Sequence, residues 1–260
     1  MARTRLSFDH TGWAARNIGS IAVVSFLAIW EILYRIGLIN PIFLSSPLKI
    51  VQVCITLFQN GVLTEHLLFT LGHFTVGFGL AAVSAVVLGL VFGWYRPLGA
   101  AFDPFLTAML GTPRIVLLPL ITLWVGVGFA SKVLIVFLAS FFPIILNTII
   151  GVHSLDRNLL RVAGAFGATP LQTFRTVALP GALPYIVSGL RIGMGQALVG
   201  VVAAEMFVST GGVGYFVAQS SANFNIDRVF VGIVVIVLMG LMITGAIKWG
   251  ENRLAKWRSE

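Results

Sequence analysis

The chain contains repeated stretches of about twenty mostly apolar residues, the length an α-helix needs to cross the roughly 30 Å hydrocarbon core of a bilayer. Lipid offers no partners to peptide N–H and C=O groups, so such stretches must close their hydrogen bonds internally, as helices. Six are read, at residues 18–38, 66–95, within 104–127, 132–152, 183–208 and 229–249. Pro104, Pro113, Arg114 and Pro119 interrupt the third. Composition supports the reading. Hydrophobic residues are 58% of the chain and charged residues 10%, against about 25% charged in a soluble domain. A soluble globule of 260 residues could not cover its surface with so few charges. The fold class is all-α and polytopic.

Other classes are excluded quickly. The single cysteine, Cys54, has no partner for a disulfide within the chain and reads as a small apolar filler. The first apolar run exceeds the roughly 7–15 residues of a signal-peptide core. It carries Glu31 and no small-x-small site follows, so it reads as a retained anchor.

Seventeen basic residues face nine acidic ones, a net charge of +8. In a soluble protein that excess would point to nucleic acid; in a membrane protein it orients the chain. With the N-terminus inside, twelve basic residues fall on the inner side: Arg3, Arg5, Arg16, Arg96, Arg157, Arg161, Arg175, Arg191, Lys248, Arg253, Lys256 and Arg258. Four fall outside: Arg35, Lys49, Lys132 and Arg228. Arg114 is left unassigned. The chain then divides into a cytosolic segment, residues 1–17, a membrane domain, 18–250, and a cytosolic tail, 251–260, with no nucleic acid as partner.

Two polar segments are patterned. Residues 40–65 hold Pro41, Ser45, Ser46 and Pro47, then Leu48, Val51, Leu57 and Phe58, which suggests an extended stretch and a short interfacial helix. Residues 153–184 are too polar to span. Leu155, Leu159, Leu160, Ala163 and Phe166 fall near helical spacing. Gly167 punctuates them, and Thr169-Pro170 restarts a helix with a cap and a first-turn proline. Leu171, Phe174 and Val177 continue its apolar face until Leu179-Pro180 and Pro184 stop it. Two short helices joined at a glycine turn suit docking to a cytosolic partner.

Catalytic motifs, a Walker-type phosphate loop and a Cys/His metal cluster are missing from the sequence, so the chain is expected to bind no cofactor and to be no enzyme. Gly211-Gly212-Val213-Gly214 lacks the preceding strand of a nucleotide loop and reads as a turn or half-helix entering the membrane. Gly77 with Ala81, Gly89 with Gly93, and Gly189 with Gly193 are pairs of small residues that let helices pack closely. Glu31, Arg114 and Glu205 are ionisable residues in or near spans, where charge is costly and points to function. The carboxylates read more readily as helix contacts than as ligands of an anion. Arg114 either faces a solute pathway or snorkels to the inner headgroups from a span beginning near Pro113.

Arg161-Val162-Ala163-Gly164-Ala165-Phe166-Gly167, followed by Val177-Ala178-Leu179-Pro180, resembles the EAA loop of membrane subunits of binding-protein-dependent ABC importers. Gly167, Val177 and Leu179-Pro180 stand at that loop's spacing. Trp30-Glu31, Leu44-Ser45-Ser46-Pro47, His66, Thr70-Leu71, Gly77-Phe78, Leu118-Pro119-Leu120, Glu205 and Gly212-Val213-Gly214-Tyr215 extend the resemblance toward the nitrate, sulfonate, taurine and bicarbonate branch. The usual opening Glu is Arg161 here, and a frequent Arg of the second span is His73.

This resemblance implies a six-helix permease of the type I importer (MetI-like) fold in the inner (plasma) membrane, paired with a second copy. It implies two cytosolic ABC ATPase subunits that carry ATP and Mg, and an external solute-binding protein. The implied solute is a small anion such as a sulfonate, taurine or nitrate, with a thiamine-precursor pyrimidine as the alternative. Arg161, Ala163, Gly167, Ala168, Leu179 and Pro180 are the implied coupling residues; Arg114 and Glu205 are candidates for the pathway. From other classes, a stand-alone secondary transporter or channel would show inverted repeats, and none is visible. An intramembrane enzyme would need a catalytic constellation.

Overall fold

The computed structural model describes residues 13–255, with side chains described over 18–246. The basic residues expected at the two ends (Arg3, Arg5, Arg16, Lys248, Arg253, Lys256 and Arg258) lie outside the described side chains. Eleven α-helices are described: α1 Trp13–Arg35, α2 Pro47–Gln59, α3 Val62–Trp94, α4 Arg96–Gly111, α5 Leu118–Val125, α6 Phe129–His153, α7 Arg157–Ala165, α8 Pro170–Thr173, α9 Leu179–Phe207, α10 Val213–Ala222 and α11 Ile226–Ala255. A 3₁₀ turn, Arg114–Leu117, precedes α5, and a π turn, Phe174–Ala178, joins α8 to α9.

α3 and α6 run parallel and α9 runs antiparallel to both; the three form the centre, and glycine sets their spacing. A β-carbon on Gly89 would lie 2.7 Å from Thr148 Cβ, and one on Gly93 would lie 2.7 Å from Val152 Cβ. On the other side of α6, a β-carbon on Gly189 would lie 2.8 Å from Asn147 Cβ. The paired glycines therefore bring α3 and α9 into backbone range of α6, where dispersion contacts are densest. Phe74, Val136, Ala197 and Val201 fill one layer of the centre; Ala85, Leu106, Phe142, Ile144 and Ile145 fill the next. The outer face of α3 stays apolar and uncovered: Leu80, Val83 and Val87 are exposed, as residues facing lipid are.

Around this centre the fold departs from the sequence expectation in two places. The third apolar run is a pair of helical pieces bent by 92°. It begins at Arg96, because Pro97 occupies the first turn of α4, where a missing N–H costs nothing, and Pro104 is carried inside the helix. The break comes at Thr112-Pro113. The second departure is that Leu179-Pro180 and Pro184 do not stop a helix. Pro180 lies in the first turn of α9 and Pro184 inside it. The preceding π turn makes room, with the Leu179 N–H reaching back to the Phe174 carbonyl. The fifth span is therefore continuous with the loop helix, over 38 residues from Pro170 to Phe207.

The short helix expected after Pro47 is α2, capped by Ser46 Oγ, which accepts from Lys49 N at 3.2 Å. It is more than interfacial: Ile50 and Leu57 are buried with Leu63, Phe216, Val231 and Met239. α1 is the least embedded span. Trp30 packs edge-on to Phe230, with ring centroids 5.9 Å apart. Glu31 accepts from Arg35 Nε at 2.8 Å and from Leu48 N at 3.3 Å, so it is a helix contact tying α1 to α2.

Candidate functional site

The loop at residues 153–184 is built by local hydrogen bonds. Asp156 caps α7, its Oδ1 accepting from Asn158 N at 2.8 Å. At the other end Gly167 N donates to Gly164 O and Ala168 N to Ala163 O, both at 3.0 Å. That pair is a Schellman turn, which requires a left-handed residue at its centre. Gly167 supplies it with φ +73°, and open space surrounds it; backbone conformation, not crowding, selects glycine. One residue later Thr169 and Gln172 form a reciprocal capping box: Thr169 N donates to Gln172 Oε1 at 2.8 Å and Gln172 N to Thr169 Oγ1 at 3.3 Å.

The predicted coupling residues are placed as follows. Ala163 and Ala168 are joined by the turn's long hydrogen bond and are half-buried. Arg161 is exposed on α7. Leu179 packs on the cluster of Val152, Ala182 and Ile186, together with Leu155 and Trp94. Pro180 is exposed in the first turn of α9. Trp94 also meets Phe174 edge-on at 5.3 Å. The loop is thus anchored on the ends of α3, α6 and α9, while Leu159, Val162, Phe166 and Leu171 stand exposed, Phe166 at 86%. An apolar patch of that kind marks an interaction surface, for another protein or for the membrane.

At the far end of the bundle a second constellation has a buried centre, Thr70, His73 and Glu205. Glu205 on α9 is 0% exposed. Its Oε2 accepts from Thr70 Oγ1 at 2.8 Å and from Gly214 N at 3.1 Å, and its Oε1 lies 3.2 Å from His73 Nδ1. Thr70 Oγ1 in turn accepts from Val213 N at 2.8 Å, and His66 Nδ1 from Gly212 N at 3.2 Å. The Gly211–Gly214 segment is therefore the entry to half-helix α10; the N–H groups of Gly212, Val213 and Gly214 are already taken by side chains of α3 and α9, and that of Gly211 by Ser209 Oγ. A β-carbon on Gly212 would overlap the Glu205 carboxyl, and Gly212 has φ +102°. Close approach and conformation both demand glycine there. Glu205 thus lies enclosed as a lock between α3, α9 and α10.

His66, Thr70 and His73, the groups that meet Gly212 and Glu205, share one helix. Their spacings of four and three put them on one face of α3, and that was the available signal. Lys132, assigned to the outer water, is buried at 3% exposure, with Nζ donating to Gly128 O at 3.1 Å. Its long stem folds back on the start of α6.

Arg114 stands at the 92° break. Leu106 packs midway along α6, beside Ile144 and Ile145, while Leu118 and Ile121 pack near its start, beside Ile135 and Ala204. Arg114 thus lies between mid-depth and the α10 end, which corrects the expectation of snorkelling at the inner headgroups. The reason is that the span begins at Arg96 and not near Pro113. Its Nη2 donates to Leu110 O at 3.1 Å, and its buried Nε has no partner among the described residues. No hydrogen bond or ion pair joins it to Glu205.

Comparison with known proteins agrees with this geometry. The family described as "Binding-protein-dependent transport system inner membrane component" matches residues 85–256. The taurine transport system permease protein of Escherichia coli (strain K12) is 31% identical, covering 94% of this chain and 90% of its own. A putative aliphatic sulfonates transport permease protein of Bacillus subtilis (strain 168) is 31% identical over 95% of this chain and 89% of its own. A formylaminopyrimidine transport permease protein of Halalkalibacterium halodurans is 35% identical, covering 90% and 93%. Among solved structures, an inward-facing MetNI methionine ABC transporter superposes with TM-score 0.60 at 23% identity, covering 79% of this chain and 98% of that chain. At that identity the likeness shows the fold.

Proposed function

The chain belongs to the family of binding-protein-dependent transport system inner membrane components and is a permease of an ABC importer, and from that premise we propose the following mechanism and solute. The chain pairs with a second copy, docks two ABC ATPase subunits that carry ATP and Mg, and receives a small anion from an external binding protein. A sulfonate or taurine is the first choice of solute and nitrate the second. The observation that carries the mechanism is the loop at 153–184. A rigid pair of capped helices presents Leu159, Val162, Phe166 and Leu171 outward, and its second helix runs without a stop into α9. Movement of an ATPase against that surface would therefore be delivered to the central helix rather than absorbed in a flexible link. Coupling needs a bistable element biased from both ends, and this loop would be the lever on it.

In this reading both termini are cytosolic, and the α7–α8 loop lies on the ATP side of the inner membrane, supported by the twelve-to-four distribution of basic residues. Arg161 extends the docking surface with a charge in place of the family's carboxylate. Arg114, half-buried with a spare donor at the break, is the candidate to attract an anion along the pathway. Glu205 acts on that pathway only indirectly, through the position of α10.

Purification of the chain with its ATPase subunits tests the docking surface. Phe166→Asp is expected to abolish co-purification, whereas Arg161→Glu is expected to weaken it. Retention of the ATPase by Phe166→Asp would remove the loop from the interface. Uptake of radiolabelled taurine by the Arg114→Gln variant tests the pathway: unchanged KM and rate would eliminate Arg114. The relative at 35% identity supports a second solute, a formylaminopyrimidine. Ligand binding to the cognate external binding protein separates the two.

A further inference from the structure

At the end of the bundle opposite the α7–α8 loop, a cavity of about 200 Å³ opens between the start of α3, the end of α10 and the start of α11. α3 runs about 50 Å from there to Trp94, at 1.5 Å per residue, so the cavity and the loop face opposite sides of the membrane. Six polar side chains line it: His66, Gln219, Ser220, Asn223, Asn225 and Arg228. None is a carboxylate. Its volume is below the 300–1,000 Å³ typical of drug-sized ligands and fits a molecule of a few heavy atoms.

Hydrogen bonding already made elsewhere turns this lining into a set of donors. His66 Nδ1 accepts from Gly212 N at 3.2 Å, which leaves the ring proton on Nε2 as a donor. Asn225 Oδ1 accepts from Arg228 N at 3.4 Å, which leaves its amide NH₂ free. The neighbouring Asp227 carboxylate is occupied by Lys49 Nζ at 2.7 Å and Ser45 Oγ at 2.6 Å. Among the described residues no carboxylate stands within ion-pair distance of the Arg228 guanidinium. The turn that carries Asn223 and Asn225 is itself unusual. Phe224, an aromatic residue, sits at φ +54°, held by Phe224 N to Ser221 O at 3.0 Å and Asn225 N to Ser220 O at 2.8 Å. A bulky residue in the left-handed region costs backbone energy, and such strain concentrates at functional sites.

We propose that this cavity is a binding site for a small free oxyanion, with Arg228 as its charge partner and His66 and Asn225 as orienting donors. A guanidinium binds planar or tetrahedral oxyanions through paired N–H groups. The same imidazole that would touch the anion receives the Gly212 N–H, so occupancy bears on the first turn of α10 and through it on the Glu205 lock. The anion need not be the transported solute, so the proposal stands apart from the solute assignment.

The test is titration of methanesulfonate and of nitrate into the purified complex in detergent, read by isothermal calorimetry. Saturable binding is expected, weakened roughly tenfold or more by Arg228→Gln, the loss of a charge-assisted pair, and by a smaller factor in Gln219→Leu. Unliganded melting temperatures of both variants should match the parent, which separates loss of the site from loss of the fold. No binding by the parent, or equal binding by Arg228→Gln, overturns the proposal. Binding seen in detergent but abolished in phosphatidylglycerol nanodiscs would assign the site to a lipid headgroup and overturn the free-ion assignment. Co-purification of the ATPase from the same preparation tests the permease reading independently.

Discussion

The α7–α8 loop and the Glu205 lock lie at opposite ends of one bundle and are stabilised in opposite ways. The loop has no buried residue between Asp156 and Val177. Its shape comes from bonds between residues at most five apart, namely the Asp156 cap, the Schellman turn and the Thr169–Gln172 box. The lock joins groups more than a hundred residues apart, such as His73 with Glu205 and Thr70 with Val213, and Thr70, His73 and Glu205 are buried. Local bonds exposed to water each contribute about a kilocalorie per mole, whereas a buried polar group deprived of its partner costs considerably more. Single substitutions in the loop are therefore expected to cost the fold little, and those in the lock much more.

This contrast is breakable by substitution. Glu205→Ala strands Thr70, His73 and the first N–H groups of α10 in a dry site. A loss of about 3–5 kcal/mol is expected, seen as a large fall in the melting temperature of the detergent-purified protein. Wild-type melting would show that the lock contributes nothing to stability. Gly89→Leu forces a side chain into Thr148 and the Ile145 carbonyl and should cost about 1–3 kcal/mol by overpacking, measured in the same melt.

Substitutions in the loop should act differently. Gly167→Asp puts a side chain at φ +73°, a local cost of about 1–2 kcal/mol. The expected outcome is normal membrane level and melting with uptake lost; normal uptake would remove the coupling role of this turn. Smallest is Thr169→Ala, which removes one side of the capping box at about 1 kcal/mol. It should lower ATPase-coupled uptake partially and leave the melt unchanged. If loop variants lowered the melt as far as Glu205→Ala does, the two regions would form one cooperative unit and the contrast would fail.

The residues that could be read from sequence follow the same division. Asp156, Gly167, Thr169 and Pro170 act through their own backbone or near neighbours, so spacing alone placed the two short helices and their turn. The presence of the spans was legible because about 20 apolar residues are a bilayer-length helix, and the Gly89–Gly93 and Gly189–Gly193 pairs were legible as packing seams. Leu179-Pro180 and Pro184 misled, because proline reads as a stop unless a π turn relieves it. Arg114 was misplaced in depth for a related reason: Pro104 is tolerated inside α4, which moves the start of that span to Arg96.

The sequence by itself determined the membrane class, the helical fold, the loop geometry and the family, since each depends on local period, composition or a contiguous motif. Only the tertiary structure decided that His66, Thr70 and His73 meet Glu205 and the α10 N-terminus. It alone turned Arg228 and Asn225 toward a shared cavity. Those juxtapositions depend on how α3, α9, α10 and α11 pack across more than a hundred residues, and no periodicity within a single helix specifies its neighbour.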